Sequence, residues 1–294
     1  MQIKDVKKNI ENNLEELKIK EERSTLLETL RDYEGRDEVI SSEQALEMIS
    51  EERKKPTLKI MSKMPTFDKL VDGFRQGDLV VISAPTKQGK TTLAQSFTSS
   101  FSEQGISSLW FSYELRQMDF LEKFGEPICQ FSLPKNLSGN SIDWIEQRIM
   151  ESIAKFGTKV VFIDHLHYIL NFSDIKNRSG ISLLIGAIMR ELKRIANKWD
   201  ITIFLIAHTT KISYDSQPEL SDIRDSSFIS QEADMVLMLW RLKDKTTDGF
   251  SNESRLVVKA NRRTGQTGGV NLIFDPKKQK LYEKTNFQQT DLEI

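Results

Sequence analysis

Hydrophobic positions along the chain follow two different rhythms, with the change near residue 57. Over the first 57 residues apolar side chains recur every three or four places: Ile3, Val6, Ile10, Leu14 and Leu17, then Leu26, Leu27 and Leu30. That period predicts amphipathic helices. Gly35 and Asp37 interrupt the stripe. Ser41, with Gln44 three residues on, forms a capping-box pattern that opens another helix to about Arg53, and Pro56 ends the segment. A thin apolar stripe on otherwise charged helices cannot enclose a core. It needs a covering surface on the main domain, on a partner or on another copy.

From Phe67 onward the rhythm becomes one of short apolar runs separated by longer helical stretches. Residues 79–82, 108–111, 159–163, 201–206 and 235–239 are almost continuously apolar. Such strands are buried on both faces, as in a parallel sheet covered by helices. Helical patterns lie between them at about 90–104, 141–156 and 180–199. The alternation predicts an α/β fold with a doubly wound, mainly parallel sheet. Later runs at 255–260 and 269–274, split by Gly265, Gly268 and Gly269, predict a terminal antiparallel hairpin. The expected organisation is therefore a helical segment over 1–57 and one large domain over 58–294.

Composition narrows the setting. With 38% hydrophobic and 29% charged residues among 294, the chain can bury a core and keep a charged surface. No apolar run reaches the roughly 18–20 residues of a membrane span. The N-terminus lacks the apolar stretch of a secretory signal, and Cys129 is the single cysteine, so no internal disulfide can form. The expectation is a cytoplasmic protein with no membrane association. A net charge of -1 argues against coating nucleic acid through a broad basic face. It leaves open a narrow channel lined by a few cations, where local charge outweighs the total.

The chemistry begins at the end of the first strand run. Ala84, Pro85, Thr86, Lys87, Gln88, Gly89, Lys90, Thr91 and Thr92 follow an apolar strand and open a helix. This is the Walker A layout in its required strand–loop–helix setting, with Ala84 where the motif has its leading glycine. Gly89 lets successive N–H groups turn toward a phosphate, Lys90 brings a cation to the β- and γ-phosphates, and the Thr91 hydroxyl suits Mg²⁺. The implied ligand is ATP or another nucleoside triphosphate with Mg²⁺.

Asp164 ends the strand 159–163, where a carboxylate is costly unless something pairs with it. Holding the magnesium shell supplies that pairing. Glu114 follows the strand after the phosphate-loop helix, and ligands of open parallel sheets sit beyond the strands' carboxyl ends. It can polarise an attacking water, or simply favour a helix start. His165 and His167 lack the further ligands of a metal centre and read as wall residues.

At this point the sequence resembles the DnaB-type helicases and the related phage primase-helicases among RecA-like ATPases. The resemblance rests on Gly73 to Leu79 before the phosphate loop, Phe111 to Leu115, Ile163 to Leu166, Ile206 to His208, the stretch Ser221 to Asp234, and Ala260 to Gly268 with its R-x-x-G-x-x-G spacing. It covers about residues 60–284. It implies a RecA-like motor that forms a homo-oligomeric ring, usually a hexamer, moves on single-stranded DNA with ATP hydrolysis and unwinds duplex. Arg262 would be the finger reaching a neighbour's γ-phosphate, with Arg263 competing for the role, and His208 would sense the γ-phosphate. DNA would meet channel loops carrying Lys176, Arg178, Lys211 and Arg224. A primase, polymerase or loader is an implied partner, residues 1–57 would supply a helix packing on the adjacent protomer, and a phage or mobile-element source fits a short single ring. The competing functions are a RecA-type recombinase and a non-motor regulatory or helicase-loading ATPase.

Overall fold

The computed structural model describes residues 38–54, 58–124, 129–169, 178–209, 218–223, 226–244 and 249–284, with parts of 15–31. The chain divides into two compact units, residues 1–57 and 58–294. In the first, α1 covers 20–28 and α2 covers Ser42–Lys54. The capping box at α2 is reciprocal. Ser41 N–H donates to Gln44 Oε1 at 2.8 Å, and Gln44 N–H donates to Ser41 Oγ at 3.2 Å. Leu46, Met48 and Ile49 are exposed on this helix.

The second unit is built on an eight-stranded sheet. Its parallel part is β3 (Leu79–Ala84), β4 (Ser108–Ser112), β5 (Val160–Asp164), β6 (Thr202–His208) and β7 (Met235–Lys243), and its antiparallel part is β8 (Phe250–Asn261), β9 (Gly268–Asp275) and β10 (Lys280–Glu283). The order across the sheet is β10-β9-β8-β7-β3-β6-β5-β4. β3 therefore lies between β6 and β7, so the loop that follows it is flanked by other strand ends. The fold is the α/β, mainly parallel sheet that the apolar runs predict. The terminal hairpin is larger than expected, because β8 begins at Phe250 and β10 adds a third antiparallel strand. A separate two-stranded pair, β1 (Lys59–Ile60) with β2 (Phe74–Arg75), flanks α3 (Pro65–Val71) and was not evident from the pattern.

Strand periodicity sends alternate side chains to two cores. On one face α4 (Lys90–Ser102) lays Phe97 and Phe101 against Phe74, Phe162 and Phe204. On the other, α6 (Ile142–Phe156) and α8 (Arg178–Lys198) bury Ile145, Ile149, Met189, Leu192 and Ile195 over Val81, Val161 and Ile203. Both faces are thus covered, which is why the parallel strands are apolar throughout. Shorter elements, α5 (Gln117–Leu121), α7 (Leu166–Ile169) and α9 (Ser226–Glu232), fill the strand connections.

Candidate nucleotide site

The phosphate loop leaves β3 at Ala84 and enters α4 at Lys90. Two residues make its curl, Lys87 at φ 62° and Gly89 at φ 93°. Ala84 is the last residue of β3, fully buried and paired in register with His208 of β6. The methyl group in place of the motif's leading glycine therefore sits on ordinary strand backbone.

Three strand ends meet this loop. The Thr91 hydroxyl donates to Asp164 Oδ2 at 2.9 Å. Asp164 is completely buried, and its Oδ1 has no hydrogen-bond partner among the described residues. Burial pushes its carboxyl up to about 6, against the pull of the Thr91 hydrogen bond. Tyr113 N–H donates to Asp164 O at 2.7 Å, which locks the end of β4 to β5 just before Glu114.

Lys90 is likewise buried, and desolvation lowers its ammonium to about 8 even with Asp164 and Glu114 raising it. Its Nζ donates to Ala84 O at 3.0 Å and Pro85 O at 3.2 Å, and lies 3.1 Å from His208 Nδ1. An ammonium has only donors, so Nδ1 must accept and the imidazole proton belongs on Nε2. That atom faces Glu114 Oε2 at 3.8 Å. His165 stacks edge-on against His208, with ring centroids 4.0 Å apart, and contacts Ile206 O through Nδ1 at 3.2 Å. The wall reading of His165 is consistent with this placement, and the His167 side chain lies outside the described residues. No group of three or more His, Cys, Asp and Glu forms a separate metal centre among the described residues.

A cleft of about 500 Å³ opens over the loop, within the range of small-molecule sites. It brings together Thr86 to Thr92, Glu114 and His208 with residues that sequence reading missed: Lys123, Arg241, Asn252, Ser254, Phe274 and Leu281. Gln88 ties the loop to this second wall by accepting from Arg241 N–H at 2.7 Å. All of these but Lys123 come from β7, β8, β9 and β10, and no local motif marks them.

An orphaned buried carboxylate oxygen beside a threonine hydroxyl, a buried ammonium and a curled run of backbone amides fit a magnesium-bound polyphosphate. Thr91 and Asp164 would hold the metal, and Lys90 with the loop amides would hold the phosphates.

The two arginines lie elsewhere. Asn261, the end of β8, is in register with Met235, which is in register with Val80 near the start of β3. The phosphate loop departs from the other end of β3, so about four residues of strand, roughly 13–15 Å, separate the two levels. Arg262 is exposed there, its N–H donating to Asp234 O at 2.8 Å. Arg263 instead turns inward, Nη1 to Asp78 Oδ2 at 3.1 Å and Nη2 to Val71 O at 2.9 Å and Gly73 O at 2.5 Å. The Arg263 guanidinium is thus engaged within its own chain, whereas Arg262 is exposed. Of the DNA-loop candidates, Lys176, Lys211 and Arg224 lie outside the described residues, as does the side chain of Arg178, which begins α8.

A parallel sheet with a phosphate loop at one central strand and an acid at the end of the next strand but one defines a RecA-like P-loop ATPase fold. The chain belongs to the DnaB-like helicase C-terminal domain family, whose model matches residues 59–132 and 133–283. It is 27% identical over 254 residues to the replicative DNA helicase DnaB of Mycoplasma pneumoniae, covering 70% of this chain and 53% of that one. It is 25% identical over 245 residues to DnaB of Treponema pallidum, covering 73% and 54%. The chain thus spans about half the length of these curated relatives. A solved ATPase domain superposes with a TM-score of 0.69 at 20% identity, over 83% of this chain and 99% of that one. A DnaB-like replicative helicase, solved in a study of its interactions with primase, gives 0.67 at 20% identity, over 95% and 75%. Among the described residues no helix is long and apolar enough to cross a membrane.

Proposed function

We propose that this chain is the ATP-hydrolysing motor of a replicative DNA helicase that works as a homo-oligomeric ring on single-stranded DNA. The observation that carries the ring is the separation of Arg262 from its own phosphate loop, at the opposite end of the same strands. A head-to-tail ring brings one subunit's far edge to the next subunit's cleft.

Bound triphosphate and Mg²⁺ supply the electrophilic phosphorus and the charge that neutralises the developing oxygens. Lys90 and the loop amides orient the phosphates. Thr91 and Asp164 fix the metal's position. Glu114 aligns the attacking water and draws its proton, and His208, in contact with Lys90 and 3.8 Å from Glu114, registers whether the γ-phosphate is present. Arg262 of a neighbouring subunit completes the charge, a contribution on the order of 10³–10⁵ in rate. Lys176, Arg178, Lys211 and Arg224 are assigned to DNA phosphates in the ring's channel, giving salt-dependent binding without sequence preference. Ala45 and the exposed Leu46 and Ile49 of α2 are assigned to packing on another copy, so deleting 1–57 shifts the sizing-column peak to smaller species. A primase, which the DnaB-like relative is described with, is the first partner to test.

The deciding experiment is fork unwinding by the wild type and by Lys90→Ala. Unwinding lost with the lysine supports the motor. ATPase activity stimulated by single-stranded DNA without any unwinding in the wild type overturns it.

A further inference from the structure

We infer that Arg263 is a positioning residue that holds Arg262 in the attitude needed to act across the subunit boundary. The inference rests on the trans role proposed for Arg262.

The turn from β8 to β9 is an exposed connection, and its first exposed side chain is Arg262. A long side chain on a free turn samples many directions, and each immobilised rotamer-rich side chain carries an ordering penalty. Here the turn is pinned on both sides of Arg262. Before it, the Asn261 side chain caps the turn by accepting from Arg263 N–H at 3.1 Å and Thr264 N–H at 3.2 Å. At it, the Arg262 N–H donates to Asp234 O, and Asp234 is itself fastened by Lys193 Nζ at 2.6 Å and Leu79 N–H at 2.7 Å. After it, the Arg263 guanidinium reaches three acceptors, the Asp78 carboxylate and the carbonyls of Val71 and Gly73.

The fork geometry matters. Asp78 sits one residue before β3, and Val71 and Gly73 flank the left-handed turn at Asp72 that ends α3. One planar guanidinium ties β8's end to both the central strand and that turn, which a lysine's single ammonium cannot do with the same geometry. Arg263 and Arg262 therefore divide the work, one anchoring and the other projecting. A shift of about 1 Å in a catalytic group costs on the order of 10²-fold in rate.

The test uses mixed rings of the full chain, measuring hydrolysis without DNA. Lys90→Ala carries a dead phosphate loop and an intact finger edge; Arg262→Ala carries the reverse. If sites form head to tail, mixing them restores wild-type composition at about a quarter of the sites. Arg263→Gln alone should lose roughly 10- to 100-fold in kcat with KM nearly unchanged. Mixed with Lys90→Ala, it should be rescued as Arg262→Ala is, which places the defect on the donating edge. Arg263→Lys should recover part of the rate. Should Arg263→Gln fail to fold, Asp78→Asn removes the same anchor's charge and must show the same rescue. Rescue of Arg262→Ala but not of the anchor variants overturns the inference and leaves the trans finger standing. No rescue of Arg262→Ala overturns the trans reading itself.

Discussion

The Thr91 hydroxyl and the Asp164 carboxylate are joined across the floor of the cleft by a 2.9 Å hydrogen bond. The bond links the first turn of α4 to the tip of β5, two elements that approach because only β6 stands between β3 and β5 in the sheet. The other carboxylate oxygen is buried without a partner among the described residues, and burial disfavours its charge.

Asp164→Asn should therefore separate function from folding. The amide keeps the size and an acceptor for Thr91 while removing a charge that folding must desolvate. Hydrolysis should fall by at least about 10²-fold, the scale of losing one electrostatic contributor. The apparent melting temperature without nucleotide should stay level or rise. A melting temperature several degrees lower would mean that the carboxylate is structural.

Glu146 offers a pH test away from the site. It joins α6 to α8 through Lys198 Nζ at 2.8 Å, Trp199 Nε1 at 2.9 Å and Arg194 Nη2 at 3.0 Å. The Lys198 hydrogen bond is the largest cause holding its carboxyl at about 2, below the ordinary 4.5. A carboxyl depressed on folding stabilises above its unfolded value and loses that contribution as pH falls toward the folded one. Glu146→Gln should thus cost about 1–2 kcal/mol at pH 7 in urea unfolding, scaled to charge-assisted bonds. The gap should close between pH 4.5 and 2. An undiminished gap at about pH 3 would assign the effect to packing.

The parallel strands and the phosphate loop are legible in the sequence because burial on both faces leaves an unbroken apolar run, and because the loop's chemistry is local. What was not legible depends on pairings far apart in the chain. β10 hides because only Leu281 of its four residues is an apolar core residue, while the buried Glu283 accepts from Thr66 N–H at 2.9 Å at the start of α3. Spacing alone could not rank Arg262 over Arg263. The carboxylate that sets their surroundings apart, Asp78, stands 185 positions from Arg263. Asp234, within the stretch that carried the family resemblance, acts as a brace between β3, α8 and Arg262, a role visible only once the sheet is assembled.

Phe97 is the centre of one core, with Phe67, Phe74, Phe101 and Phe204 rings all within 6.1 Å of it, centroid to centroid. Phe97→Ala should cost about 3–5 kcal/mol by denaturant unfolding, since the rigid aromatic neighbours cannot close the cavity. α4 carries Lys90 and Thr91 as well as Phe97, so nucleotide affinity should weaken along with stability. An affinity that stays at the wild-type level while stability drops would show the loop to be independent of this packing.

Restoring the motif's leading glycine should bring no gain. Ala84 lies on strand backbone, in register with His208, and its methyl group is buried in the core cluster around Phe97. The left-handed positions that the curl needs are Lys87 and Gly89 instead. Ala84→Gly adds unfolded-state freedom and removes a buried methyl, so stability should drop by about 0.5–1 kcal/mol. Hydrolysis should stay within about twofold, because no group facing the cleft changes. Lys87→Gly tests the same geometry from the other side: it relieves a side chain held at positive φ and should leave stability unchanged or raise it by up to about 1 kcal/mol. Urea unfolding of both variants decides the matter. Stabilisation by Ala84→Gly together with destabilisation by Lys87→Gly would place the strain at the strand end rather than in the loop.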